Sequence, residues 1–269
     1  MPTESSADGR SIEVNGAMLH VEEHGSGTPL ILIHGALSSG RRWDAVWPHL
    51  IGDCRVIVLD SRAHGRSTNP TGKLSYTQLA DDVAVLIEAL GLVRPVVGGH
   101  SDGGQVTLEL GARHPNAAKA LIAAAPHHDF DAGLREVWRA FLGLDDAGNP
   151  DFAVVDATLG DFADVFKSWH PGGDEQWRAV VQQTAGMWLD YAGLSNDEVR
   201  RLETPVLLVA GDRDAMIPLQ LTVALYQALP DAELAVCPGT GHSDPMSPER
   251  AALFAALIRD FTARHSYAP

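Results

Sequence analysis

Pro95-Val96-Val97-Gly98-Gly99-His100-Ser101-Asp102-Gly103-Gly104 runs from a short apolar stretch into Gly-x-Ser-x-Gly and then into a helical pattern that continues through His114. A serine at such a strand-to-helix turn sits in strained backbone geometry, and small residues two positions to either side let strand and helix approach without a side-chain clash. Gly99 and Gly103 supply that room. Taken alone, the pentapeptide also reads as a glycine-rich turn with a helix N-cap serine. The rest of the chain decides between the two.

On either side, short apolar runs alternate with longer helical patterns. The runs are Leu30 to Ile33, Arg55 to Leu59, Pro95 to Gly98, Ala120 to Ala125, Val206 to Ala210 and Leu234 to Cys237. Between two of them, Tyr76 to Leu90 spaces Leu79, Val83, Leu86, Ile87 and Leu90 as one helix face, with Gly91 as its stop. Continuous apolar strands between amphipathic helices mark a sheet covered on both faces. Ahead of them, Ser11 to Asn15 and Ala17 to Glu23 flank Asn15-Gly16, a pair suited to a hairpin turn at a sheet edge. From Pro126 to Thr204 no strand pattern is evident, and helix-like pieces carry Trp138, Phe141, Phe162, Phe166, Trp169, Trp177, Met187, Trp188 and Tyr191. The expected architecture is therefore α/β: a mostly parallel central sheet with helices on both faces, its core in 1–125 and 205–269, interrupted by a helical cap over 126–204.

A serine hydroxyl is too weak an acid to attack at neutral pH, so it requires a base near pKa 7 and a group that holds that base in the useful tautomer. His242 lies in Pro238-Gly239-Thr240-Gly241-His242-Ser243-Asp244-Pro245, just after the last strand. Asp214 lies in Gly211-Asp212-Arg213-Asp214-Ala215-Met216-Ile217-Pro218, just after the preceding one. Asp212 competes for the acid position. His127 and His128 follow the strand ending near Ala125, so they approach a pocket mouth, either as substrate contacts or as a solvated pair.

In this order, serine, acid, histidine, the motifs resemble the α/β-hydrolase superfamily. Leu30-Ile31-Leu32-Ile33-His34-Gly35-Ala36 is similar to its strand followed by His-Gly, and Asp60-Ser61-Arg62-Ala63-His64-Gly65-Arg66-Ser67 to its Asp-x-Arg-Gly-x-Gly-x-Ser stretch, with Ala63 in place of the usual glycine. The family spacing, with the acid four residues before proline, selects Asp214 with Pro218 over Asp212. The resemblance implies a catalytic triad of Ser101, Asp214 and His242, with the backbone N–H groups of Ala36 and Asp102 as an oxyanion hole. It implies a supporting role for His34 in its loop, and His64 reads as structural.

Serine at the elbow argues against the branches that use an aspartate nucleophile, and favours acyl chemistry: a carboxylic ester, lactone or thioester opened through an acyl-enzyme on Ser101. Hydrolysis of a carbon–carbon bond fits the same mechanism. Four of the six tryptophans, Trp138, Trp169, Trp177 and Trp188, fall in the expected cap and suggest an apolar or aromatic substrate chamber, although core packing explains some of them. Expected substrate contacts are His34, Gly35, Asp102, His127, His128, Trp138 and Trp188. The Asp102 carboxylate has two readings, reception of a substrate ammonium group or complementation of a positive helix N-terminus. The competing functions are a non-hydrolytic member of the same fold (lyase, acyltransferase or cofactor-free oxygenase) and a ligand receptor.

Composition narrows the partners. With 35 acidic against 20 basic residues, the net charge of -15 repels nucleic acid and anionic membrane surfaces, so a small molecule is the expected ligand, and a neutral or cationic one fits better. The twelve histidines show no metal-ligand spacing and no dinucleotide fingerprint is present, so neither metal nor other cofactor is expected. The first twenty residues lack a secretory pattern, no stretch is long enough to span a bilayer, and the two cysteines, Cys54 and Cys237, read as isolated buried thiols. The expectation is a cytoplasmic protein, as monomer or homo-oligomer.

Overall fold

The computed structural model describes residues 9–126 and 132–266. Its strands form one eight-stranded sheet in the order β1-β2-β4-β3-β5-β6-β7-β8. The strands are β1 Arg10–Val14, β2 Ala17–His24, β3 Thr28–Ile33, β4 Cys54–Leu59, β5 Val96–His100, β6 Ala120–Ala124, β7 Val206–Gly211 and β8 Ala232–Cys237. β1 and β2 pair antiparallel, as do β2 and β4, and every pairing from β4 through β8 is parallel. Asn15 and Gly16 turn the first hairpin with φ of 47° and 73°, the two positive values that a tight turn between twisted strands requires.

The alternation of side chains along each strand sorts the core onto the two sheet faces. Ile31, Ile33, Val97, Leu121 and Leu208 join one cluster with Leu79, Val83 and Leu86 of α1 (Tyr76–Ala89) and with Val106 and Leu110 of α2 (Asp102–Arg113). Leu30, Leu32, Val56, Val96, Ile122 and Leu207 join the other, with Phe254, Ile258 and Phe261 of α9 (Ala251–Ser266). Helices thus cover both faces. β5, β6 and β7 are buried at every residue, which is why they appear as uninterrupted apolar runs in the sequence, whereas the edge strand β8 is half-exposed along most of its length.

Between β6 and β7 the regular elements among the described residues are helices: α3 Ala132–Leu142, α4 Phe152–Leu159, α5 Phe162–Ser168, α6 Gly173–Asp190 and α7 Asn196–Arg200. Trp138, Phe166, Trp177, Val180, Val181 and Trp188 of these helices continue the first cluster. α8 (Leu219–Ala228) connects β7 to β8. Beneath the insertion, Arg62 and Asp82 form a buried ion pair at 2.7 Å, and Asp82 also accepts from the Asn15 side chain. This ties the β4–α1 connection to the first hairpin. A buried pair with its remaining valences filled contributes geometry more than net stability.

Candidate active site

The parallel strands end on a common edge, and the candidate residues follow those ends: His34 after β3, Ser101 after β5, Asp214 after β7 and His242 after β8. Open α/β sheets bind ligands at this edge. Ser101 holds φ 55° and ψ −120°, a conformation that costs a non-glycine residue about 1–3 kcal/mol and persists only where its surroundings enforce it. The enforcement is steric. A Cβ on Gly99 would lie 2.0 Å from the carbonyl oxygen of Gly103, and one on Gly103 would lie 2.3 Å from that of Ile33. The Ser101 N–H donates to the Ala124 carbonyl at 2.8 Å, pinning the turn to β6.

From this turn the Ser101 hydroxyl reaches His242 Nε2 at 3.0 Å, and His242 Nδ1 donates to Asp214 Oδ2 at 2.8 Å. The other carboxylate oxygen, Oδ1, accepts the N–H groups of Met216 and Ile217 at 2.9 and 2.8 Å. Asp214 is thereby fixed as an acceptor toward the imidazole, which places the histidine proton on Nδ1 and leaves Nε2 free to accept from the serine. Asp212, the alternative acid, instead accepts the Thr240 N–H at 3.2 Å and braces the loop that carries His242.

Ser101 and His242 open onto a cavity of about 170 Å³ whose wall also includes Gly35, Ala36, Leu37, Phe141, Leu159, Phe162, Phe166, Trp188 and Met216. Of the residues expected to contact substrate, the structure brings Gly35 and Trp188 to this wall. It places three others elsewhere. His34 is buried behind the loop, with Nδ1 donating to the Gly35 carbonyl at 2.7 Å and Nε2 accepting the Ser61 N–H at 3.0 Å. Burial pushes its pKa down to about 4, so it is a neutral brace rather than a substrate contact. Trp138 is buried against Trp188, with ring centroids 5.3 Å apart, one layer behind the wall. His127 and His128 lie outside the described residues.

Asp102 opens α2, where a carboxylate complements the positive helix N-terminus, and its side chain does not line the cavity that a substrate ammonium group would enter. The side chain is buried off the cavity wall, where Oδ1 accepts from the Tyr76 hydroxyl at 2.7 Å. Trp188 Nε1 donates to both oxygens, at 3.0 and 3.1 Å. Burial raises its pKa to about 6 even though both hydrogen bonds favour the anion. Its partners are thus protein donors, from α1 and from the insertion.

Two wall residues carry roles that the sequence did not suggest. His100 Nε2 donates to the His242 carbonyl at 2.8 Å, and burial, with His242 and Arg42 nearby, holds its pKa well below the usual histidine value. Arg42 donates to the Ser243 carbonyl at 2.9 Å. Both partners lie far away along the chain, so no local pattern signals them. His64 donates to the Arg62 carbonyl at 3.0 Å and packs edge-on to His34, within the β4–α1 connection. Among the described residues no group of three or more His, Cys, Asp or Glu side chains is arranged to hold a metal ion. None of the described helices is long and apolar enough to cross a membrane.

Residues 30–257 match the model of the alpha/beta hydrolase family. The chain belongs to that family. Among curated relatives of the family member described here, it is 29% identical to a 2-hydroxymuconate semialdehyde hydrolase of Pseudomonas sp. (strain CF600), covering 97% of this chain and 96% of the relative. It is 26% identical to a 2-hydroxy-6-oxo-2,4-heptadienoate hydrolase of Pseudomonas putida, covering 95% and 96%. In fold it is similar to the meta-cleavage product hydrolase of Pseudomonas fluorescens IP01, with a TM-score of 0.81 at 21% identity over 95% of this chain and 98% of the other. Family and relatives together support hydrolase chemistry.

Proposed function

We propose that this protein is a serine hydrolase that opens a small, largely apolar or aromatic carboxylic ester, lactone or thioester through an acyl-enzyme on Ser101. The observation that carries the reading is the continuous chain Ser101 Oγ, His242 Nε2, His242 Nδ1, Asp214 Oδ2, with links of 3.0 and 2.8 Å. In this reading His242 takes the Ser101 proton as Oγ attacks the carbonyl, then passes it to the departing alkoxide or thiolate. Water, deprotonated by the same imidazole, releases the acid. Asp214 stays ionised and stabilises the imidazolium. The N–H groups of Ala36 and Asp102 receive the oxyanion, where each donor contributes on the order of 3 kcal/mol to the transition state. The helices of 126–204 act as a cap whose Phe141, Leu159, Phe162, Phe166 and Trp188 exclude water and set the shape of the acyl chamber.

A second reading uses the same atoms on a carbon–carbon bond, with a stabilised carbanion as leaving group. It is favoured by the relatives named above, whose similarity runs through the insertion as well as the core. Both readings require a nucleophilic Ser101. The test is fluorophosphonate labelling and turnover of a p-nitrophenyl ester panel by wild type and by Ser101→Ala. Labelling and turnover in the wild type, both lost in the variant, support an acyl-enzyme. Turnover that survives in Ser101→Ala sinks it.

A further inference from the structure

The cavity wall beside Ser101 and His242 is mostly apolar, yet Arg42 lies in it. This residue sits in the short helical turn Gly40–Trp43 that follows the His34-Gly35 loop, and its side chain is half-buried. Nη2 donates to the Ser243 carbonyl, and the guanidinium stands 5.4 Å from the ring centre of Phe162 in α5. Arg42 thus bridges the loop that carries His242 to the insertion.

The neighbouring Arg41 faces solvent and pairs with Asp44 at 3.6 Å, but among the described residues no carboxylate lies within ion-pair distance of Arg42. The acid that acts on it from further off is the exposed Asp244, whose Oδ2 accepts the Gly241 N–H at 2.7 Å. A guanidinium has five N–H donors in a planar fork suited to a carboxylate, and it stays protonated even where burial disfavours its charge. Its apolar surroundings make the unspent donors strong ones.

Resting on the hydrolase reading above, we infer that Arg42 is the anion-binding group of this cavity, and that the substrate carries a carboxylate apart from the carbonyl attacked by Ser101. The net charge of -15 repels an anion at long range, so only a local cation could hold one here, and Arg42 is the one lysine or arginine among the described residues of this wall.

The test separates binding from turnover. In a Ser101→Ala background, 3-phenylpropionate and its uncharged amide are titrated calorimetrically against Arg42, Arg42→Lys and Arg42→Met proteins. With Arg42 the acid binds roughly tenfold or more tightly than the amide, a factor typical of one charged hydrogen-bonding group. Arg42→Met brings the two affinities together and Arg42→Lys falls between. In parallel, p-nitrophenyl hydrogen glutarate, with the charge on the acyl side, and carboxyphenyl butyrates, with it on the leaving group, are compared with neutral analogues. Preference for either charged series, reduced in Arg42→Met, supports the inference and places the carboxylate. Equal affinity for acid and amide in the Arg42 protein, or an acid that does not bind, overturns it whatever the variants do. A wild type that prefers the acid but is not labelled by fluorophosphonate leaves the anion site standing and sinks the acyl-enzyme reading instead.

Discussion

The indole N–H of Trp188 donates to both carboxylate oxygens of Asp102, so the longest helix of the insertion is tied to the residue that follows Ser101. Tyr76 holds the same carboxylate from α1. This linkage has a pH signature. Asp102 titrates near 6 when buried, against an ordinary value of 3.8, so the folded state binds a proton more tightly than the unfolded state. Stability tied to this group is fully present below about pH 4 and is lost as pH rises to about 6, by on the order of 3 kcal/mol. The buried imidazoles of His34 and His100 act in the opposite sense, losing stability as pH falls below the histidine range. The difference between proteins therefore carries the signal. In urea titrations, Asp102→Asn gains stability relative to wild type as pH is raised from 4 to 7. A pH-independent difference would show that Asp102 does not titrate in this interval.

Asp214→Asn is expected to cut kcat by roughly 10³–10⁴ with little loss of stability. The Met216 and Ile217 N–H groups require an acceptor at the Oδ1 position, so the amide oxygen takes that place and the amide nitrogen faces His242. The imidazole must then accept at Nδ1 and carry its proton on Nε2, where it can no longer receive the serine proton. Ester turnover and thermal unfolding of the purified variant check this. Retention of more than about a tenth of wild-type kcat would mean that Asp214 does not set the tautomer.

How much of this was legible without the structure follows from where the determining contacts lie. β5, β6 and β7 announce themselves because burial on both faces makes their positions apolar, while the run expected for β8 begins only at Leu234, since edge exposure permits Glu233 near the start of the strand. Ser101, Asp214 and His242 stand out in the sequence because the proposed acyl chemistry calls for those residue types in loops after strand ends, and the structure brings their polar atoms within hydrogen-bond distance of one another. The environment of Asp102 was not legible. Its donors lie 26 and 86 residues away, and only the packing of α1 and α6 around the elbow brings them there. Arg42 escaped for the same reason: its partner is 201 residues distant. The expectation for His34 rests on its place in the His-Gly loop and that for Trp138 on the aromatic content of the insertion, and neither reveals which way a side chain turns.

Ala63 occupies a position with φ of 72°, in the stretch whose family pattern has glycine there. A side chain in this region costs roughly 1–2 kcal/mol, against which glycine loses about 0.5–1 kcal/mol in added unfolded-chain entropy. Ala63→Gly is therefore expected to raise stability by about 0.5–1 kcal/mol, read as a higher urea midpoint at unchanged slope. A lower midpoint would mean that the buried Ala63 methyl contributes more through packing than its backbone strain costs.

His100 is expected to act as a positioning residue for His242. Its Nε2–H donates to the His242 carbonyl, and burial keeps the ring neutral, so the hydrogen bond has one direction at any pH where the protein is folded. Replacement by phenylalanine keeps the ring volume but leaves that carbonyl unpaired beside the cavity, which costs about 1–3 kcal/mol and frees the loop carrying the base. The 3.0 Å contact between Ser101 Oγ and His242 Nε2 loosens with it. His100→Phe should lower kcat for p-nitrophenyl esters by roughly 10–100-fold with little change in KM, as expected where an interaction of the transition state is weakened. His100→Gln, which restores an N–H donor of similar reach, should recover most of the loss. A purely structural role would make both variants fall in proportion to their loss of stability, with no split between kcat and KM and no rescue by glutamine.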